Sequence, residues 1–248
     1  MSVASDLLRA EWLKLRSTRT SLGLLAGLAV LVAALVAITL AAAKGHTLEH
    51  PSGVRSVLVI GGNAAYIFAL AMGIVGSAGE YRHGTITLAT LATPQRWPLL
   101  AAKVLVYAVA GLLFAALATG ITFAIAALVL PSHHSGLHLS QPMVQRVLFG
   151  SLIAGAVFGV IGVGLGMLLR EQVVALLLGV GWTLIVDSVI SGAAPDVGKF
   201  FPGGAVSGVM QTSSKHVLSM GQSALLLTGY AAAFAAAGAV LFQQRDVS

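Results

Sequence analysis

The stretch Gly79-Glu80-Tyr81-Arg82-His83-Gly84-Thr85 lies between two long apolar runs and leads into Pro94 and Arg96. Charged side chains beside an apolar run belong at the water boundary, because a charge at the bilayer centre costs at least about 2.5–3.5 kcal/mol. The stretch therefore indicates a structured loop at a membrane surface, carrying a short Thr-, Leu- and Ala-rich helix over residues 86–93. The alternative is an ordinary polar loop that holds two spans apart.

Composition indicates that the whole chain is a membrane protein. Of its 248 residues, 57% are hydrophobic and 9% are charged, and the mean hydropathy is +0.94, whereas a soluble domain carries about 25% charged residues. Apolar runs of about 20 residues recur along the sequence, as in an all-α, multispan membrane protein. No stretch is long and polar enough for a second domain, so we expect one transmembrane domain over residues 1–248.

We predict six transmembrane helices, at about residues 21–43, 57–78, 99–130, 144–169, 172–190 and 220–242. The third run exceeds a hydrocarbon core of about 30 Å, so we expect it to tilt or protrude, with Lys103 snorkelling to the inner interface. The fourth run contains Gly155-x-x-x-Gly159 and further glycines, which indicate close helix packing. Residues 191–218 are too broken to span, and their apolar content suggests contact with the outer interface.

The residues before the first span, 1–19, form a basic leader. At about 100° per residue, Leu8, Trp12 and Leu15 share one face, whereas Arg9 and Arg16 project elsewhere. This pattern predicts an amphipathic helix in the headgroup plane, and the alternative is an unstructured leader. The apolar run that follows exceeds the 7–15 residues of a signal-peptide core, so we interpret it as a retained anchor.

The distribution of basic residues predicts the orientation. The formal net charge is +6, but no dense basic cluster with interleaved aromatic residues is present, so we expect membrane lipids and not nucleic acid as partners. With both termini in the cytoplasm, that side carries nine of the fourteen Lys and Arg residues, four of them before the first span. The positive-inside rule therefore places the stretch at residues 79–98 in the cytoplasm of a cell membrane, and the Ala-, Gly- and Val-rich composition hints at a bacterium.

Several kinds of chemistry have no support in the sequence. There is no cysteine, and the G-x-x-x-x-G-K-[ST], H-E-x-x-H and G-x-S-x-G motifs are absent. We expect no catalytic residue, metal or cofactor in this chain, although His133, His134 and His138 leave a metal site as an alternative to a solvated loop. Asp187 is a candidate for a substrate path, or it caps or pairs at the outer interface.

Three features together resemble the membrane-spanning permease subunits of type-2 ABC exporters. They are the leader Ala10-Glu11-Trp12-Leu13-Lys14-Leu15-Arg16, the polar stretch that runs into Ala101-Ala102-Lys103, and the broken segment between spans five and six. The resemblance implies that the loop between spans two and three carries a coupling helix, seated in a cleft of a separate ATP-binding cassette ATPase subunit. It also implies two permeases and two ATPases in the working unit, with ATP and Mg on the partner ATPase.

The resemblance assigns roles to individual residues. Residues 85–93 would form the coupling helix, Gly84 would permit the turn before it, and Pro94 would end it. Glu80 and Arg82 would hold the end of span two against the leader or the loop. The implied ATPase contacts are Glu80, Tyr81, Arg82, His83, Gly84, Thr85, Thr87, Thr90, Thr93, Pro94 and Arg96, and the implied interfacial-helix residues are Leu8, Glu11, Trp12, Leu15 and Arg16.

These observations predict the permease subunit of an ATP-driven exporter, paired with a second copy or a homologue. One alternative is a secondary transporter or channel without an ATPase, which would need ionisable groups at mid-span. Another is an intramembrane enzyme or a structural assembly factor. Spans rich in Ala, Val, Leu and Gly are compatible with a lipophilic or amphipathic cargo, but they do not identify it.

Overall fold

The computed structural model describes residues 3–43, 50–82, 84, 96–130, 141–212 and 217–244. All regular elements within these ranges are helices. They are α1 (Val3–Ser17), α2 (Arg19–Ala42), α3 (Pro51–Arg82), α4 (Arg96–Val129), α5 (Pro142–Leu169), α6 (Gln172–Ala193), α7 (Pro195–Gly198), α8 (Pro202–Met210) and α9 (Met220–Gln244).

Six helices in the described residues, namely α2, α3, α4, α5, α6 and α9, are long and apolar enough to cross a membrane. The predicted all-α fold with six spans is therefore confirmed. The largest difference is in α3, which begins at Pro51 and ends at Arg82, whereas we predicted a span over residues 57–78. Glu80, Tyr81 and Arg82 thus form the last turn of a helix and not a loop, and a cation in that turn is favoured by the helix dipole.

The helix α5 lies at the centre of the bundle and contacts α3, α4, α8 and α9. Its glycines permit this close packing. A Cβ atom at Gly155 would meet the backbone of Gly111 in α4, and one at Gly162 would meet the backbone of Leu70 and Gly73 in α3. The predicted role of these glycines in helix packing is therefore confirmed.

Several hydroxyl groups inside the bundle bond within their own helices. Thr122 Oγ1 donates to Ala118 O at 2.9 Å, and Ser151 Oγ donates to Val147 O at 2.7 Å. This bonding to the preceding turn leaves the side chains buried without a polar partner on another helix. Buried apolar side chains, such as Leu28 of α2 and Phe158 of α5, form the core between the helices.

The broken segment between α6 and α9 consists of two short helices, α7 and α8. Prolines start both helices, and Gln211, with a φ of 53°, ends α8. Ala205, Val206 and Val209 of α8 are fully buried, and α8 packs against α5 and α9. The apolar side chains of α8 therefore face the protein interior, whereas Val197 and Phe200 of the same segment are exposed. Contact of the segment with the outer interface stays a prediction.

Candidate functional site

Four charged side chains from three helices meet in what we call the charge cluster: Glu11 and Lys14 of α1, Glu80 of α3 and Lys103 of α4. Lys103 Nζ lies 2.8 Å from Glu11 Oε2 and 2.8 Å from Glu80 Oε1. Lys14 Nζ lies 2.6 Å from Glu11 Oε1 and 2.9 Å from Glu80 Oε1. Each ammonium therefore bonds both carboxylates, and the four groups form a closed ring with no net charge.

The ring is buried on one side and reaches solvent on the other. Side-chain exposure is 3% at Lys103, 1% at Glu11 and 42% at Lys14. Removing ions from water costs several kcal/mol each, and only close pairing with hydrogen bonds compensates for it. A cluster paired at these distances meets that condition, and it requires the three helix segments to stay together.

The electrostatics of the α1 residues favour their charged forms. Burial alone would raise the pKa of Glu11, but the Lys103 and Lys14 ammonium groups outweigh it and hold that pKa below its usual value. Burial alone would lower the pKa of Lys14, but Glu80 and Glu11 outweigh it and raise that pKa. Glu11 and Lys14 are therefore both charged near neutral pH.

The position of Lys103 corrects its predicted role. We expected its side chain to snorkel towards the membrane interface. Instead it points into the protein, where it bonds Glu11 and Glu80. The reason is that two carboxylates within hydrogen-bonding distance stabilise a buried ammonium that would otherwise need water.

The leader forms a helix, as predicted, but its apolar face is divided. Leu15 packs in the core and Glu11 enters the charge cluster, so these two residues mark the side that faces the bundle. Leu8 and Trp12 remain more than a third exposed, and Arg16 is exposed as well. The placement of α1 in the headgroup plane stays a prediction.

A second contact joins the last turn of α3 to the short turn between α5 and α6. The Arg170 guanidinium lies 4.9 Å from the ring centroid of Tyr81, and Arg170 Nη2 donates to Leu241 O of α9 at 3.3 Å. Arg170 has a φ of 57° at the end of α5, and Glu171 Oε2 accepts from Val174 N at 2.7 Å at the start of α6. Arg82 is exposed.

Much of the predicted coupling loop lies outside the described residues. These positions are His83, Thr85, Thr87, Thr90, Thr93 and Pro94. Gly84 has a φ of +66° and donates its N–H to Tyr81 O at 3.3 Å, so it does form a turn after α3. Arg96 is the first residue of α4. The histidines at 133, 134 and 138 also lie outside the described residues.

Asp187 is buried at a junction between α6 and α8. Its Oδ1 accepts from Trp182 Nε1 at 3.1 Å, and its Oδ2 accepts from Gly203 N at 2.8 Å. Gly203 lies in the first turn of α8, so the carboxylate satisfies a helix N–H that has no partner in its own helix. These contacts favour a capping role, and a role in a substrate path stays a prediction.

An apolar cavity of about 370 Å³ lies beside this junction. Trp182 begins a π-helical turn, Trp182–Val186, within α6, and π-turns inside α-helices occur often at functional sites. The cavity walls include Leu70, Phe158, Trp182, Phe201 and Tyr230. Its lining would accept an apolar group and offers few polar partners.

The sequence analysis missed Lys14 and the partners of Lys103. The sequence did contain a signal for the contacts of Lys103. A lysine inside an apolar run needs an acidic partner, and acids are rare in this chain. Glu11 and Glu80 lie 92 and 23 residues from Lys103 in the chain, so spacing alone did not connect them.

The fold and this site define a class: a multi-pass, all-helical membrane protein in which an N-terminal helix is bonded to the ends of two spans. Comparison with known families identifies it further. Residues 7–186 match the family described as "ABC-2 family transporter protein", and the chain belongs to that family. No curated protein matches the sequence.

Proposed function

We propose that this chain is the permease subunit of an ATP-binding cassette exporter in the cell membrane. A separate ATPase subunit binds ATP and Mg and acts on the loop between α3 and α4, which faces the cytoplasm together with both termini. Membership of a transporter family supports the transport role. A second permease copy or a homologue completes the unit, and this chain itself carries out no catalysis.

The observation that carries the proposal is the charge cluster. Residues 83–95 connect α3 to α4, and the ring holds Glu80 at the end of α3 and Lys103 near the start of α4 against α1. A displacement of the loop is therefore transmitted to three helices at once. Packed helices respond as rigid bodies because interiors are close-packed, so a push at this point can change the arrangement of the spans.

The loop itself is the place to test the proposal. Replacing residues 85–93 with a Gly/Ser segment of equal length removes the surface that the ATPase would contact. We expect an ATPase subunit encoded beside the permease to stop co-purifying with it. We also expect the part of its ATP turnover that the permease stimulates to be lost. Both are measured on membranes in which the two proteins are expressed together.

The matched control is the same replacement at residues 132–140, which lie on the opposite side in the predicted orientation. This variant should retain the ATPase and its turnover. Normal assembly and hydrolysis after replacement of residues 85–93 would show that the coupling assignment is wrong.

The apolar cavity beside Trp182 supports a lipophilic or amphipathic cargo. It contains a short stretch of irregular helix and several aromatic side chains, and such walls bind apolar groups without a fixed orientation. A photoreactive apolar probe should crosslink to the walls of this cavity. An excess of the same compound without its photoreactive group should suppress that crosslink.

A further inference from the structure

A second, polar cavity of about 550 Å³ lies between the junction of α1 with α2 and the end of α3. Its rim carries charged and hydroxyl groups. Two cations, Lys14 and Arg82, and one carboxylate, Glu80, line it, together with the hydroxyl side chains Ser17, Thr18, Thr20 and Ser21. Its floor is apolar and includes Met72, Val75 and Tyr107. The cavity thus has one polar and one apolar part.

The charges leave this cavity net positive. The four members of the charge cluster sum to zero, and Arg82 adds one positive charge at the rim. Lys14 bonds Glu11 and Glu80, but an ammonium has three N–H donors. Lys14 lines the cavity, so its third donor can bond a ligand there.

The depth of the cavity follows from the helix ends that form it. The apolar span of α2 begins at Arg19, and that of α3 ends at Arg82. Residues at the ends of spans lie at the level of lipid headgroups. The apolar floor, by contrast, is formed by residues inside the spans α3 and α4, where acyl chains lie.

We propose that this cavity binds an anionic glycerophospholipid. The phosphate lies between Arg82 and Lys14, and the glycerol and the start of an acyl chain lie over the apolar floor. Basic pockets between transmembrane helices are suited to anionic headgroups. The apolar floor favours a lipid over a free phosphate ion, because it would bury part of a tail. The inference does not depend on the ATPase coupling proposed above.

Two variants test the site by different means. Arg82→Gln removes one of the two cations beside the phosphate, and Gly79→Leu fills part of the cavity. Gly79 lines the cavity, and the nearest atom to a Cβ built there is Gln172 Oε1 at 3.9 Å, so a side chain can be accommodated. Arg9→Gln is the matched control, because Arg9 is an exposed cation of α1 that does not line the cavity.

The measurement is native mass spectrometry of the full chain, purified in detergent without the ATPase, on the monodisperse fraction of each variant. We expect a bound phosphatidylglycerol on the wild type. Its apparent affinity should fall about fivefold in Arg82→Gln, as expected for one cation near an anionic headgroup, and at least as much in Gly79→Leu. Arg82→Lys and Arg9→Gln should bind as the wild type does.

Three results would overturn the proposal. Equal phosphatidylglycerol binding by the wild type, Arg82→Gln and Gly79→Leu would place the lipid elsewhere. Equal binding of phosphatidylcholine would show that anionic charge is not recognised. A free anion would be the ligand if inorganic phosphate displaced phosphatidylglycerol and raised the melting temperature of the protein by the same amount as the lipid does. Because the ATPase is absent, none of these results bears on the coupling proposal.

Discussion

At the scale of single residues, Lys103 shows how a charge is stabilised within an apolar helix. Its ammonium is almost fully buried, yet it bonds two carboxylates at 2.8 Å each. A buried ion pair adds little stability over an apolar replacement of the whole pair, but removing one partner leaves an uncompensated charge. The cluster is therefore a device for holding α1, α3 and α4 in one arrangement.

Lys103→Met should strongly destabilise the protein. It leaves Glu11 and Glu80 with Lys14 as their only remaining partner in the ring, so we expect a loss of about 3–5 kcal/mol, seen as a lower melting temperature in detergent. The control is Lys199→Met, because Lys199 pairs at 3.4 Å with Asp196, whose side chain is 74% exposed, and such a pair contributes about 0–1 kcal/mol. Lys103→Met with Glu80→Gln should recover part of the loss.

A melting temperature of Lys103→Met equal to that of the wild type would contradict the importance of the cluster. So would equal losses in Lys103→Met and Lys199→Met, because a buried and an exposed pair would then behave alike.

The lowered pKa of Glu11 predicts a dependence of stability on pH. In the unfolded chain this group titrates near its ordinary value of 4.5, and in the folded protein it titrates lower. Its contribution is therefore fully present above that ordinary value and is lost as the pH falls through the folded pKa. We expect the difference in melting temperature between wild type and Glu11→Gln to be constant near neutrality and to shrink below about pH 4.5. A difference that does not change with pH would exclude ionisation as its cause.

At the scale of elements, α5 depends on glycines where other helices approach. A Cβ at Gly162 would meet backbone atoms of α3, which cannot move as a flexible side chain can. The exposed Gly120 of α4, by contrast, has no atom within 4 Å of such a Cβ. The two positions form a natural pair for comparison, because both lie inside long spans.

Gly162→Ala should destabilise the protein by about 1–3 kcal/mol, because overpacking forces the backbones of α5 and α3 apart. Gly120→Ala should leave stability unchanged or slightly higher, since alanine is the better helix former. Thermal unfolding of both variants in the same detergent gives the comparison. If the two variants melt together, the close contact of α5 with α3 is not what requires glycine at residue 162.

At the scale of the whole molecule, the orientation in the membrane can be measured directly because the chain has no cysteine. One introduced thiol is then the only one. Ser17 at the end of α1 and Ser52 near the start of α3 are both exposed, and a span separates them. In intact cells, a membrane-impermeant maleimide should label Ser52→Cys, and it should label Ser17→Cys only after permeabilisation. The reverse pattern would place the loop between α3 and α4 outside the cell.

The sequence by itself determined the class of fold and the number of spans. Apolar runs long enough to cross a bilayer must be helical, because lipid offers no partners for backbone N–H and C=O groups. These features depend on local composition, which can be read along the chain.

Only the tertiary structure decided which residues form the site. Helices that are hydrophobic on all sides give no periodicity to show which face meets which neighbour, so the contact of Lys103 with Glu11 could not be derived from spacing. The extension of α3 to Arg82 was missed for a related reason: hydropathy marks where an apolar run ends, but a helix continues past it when its polar side chains find partners. Glu80 finds them in Lys14 and Lys103, and these partners come together only when the helices pack.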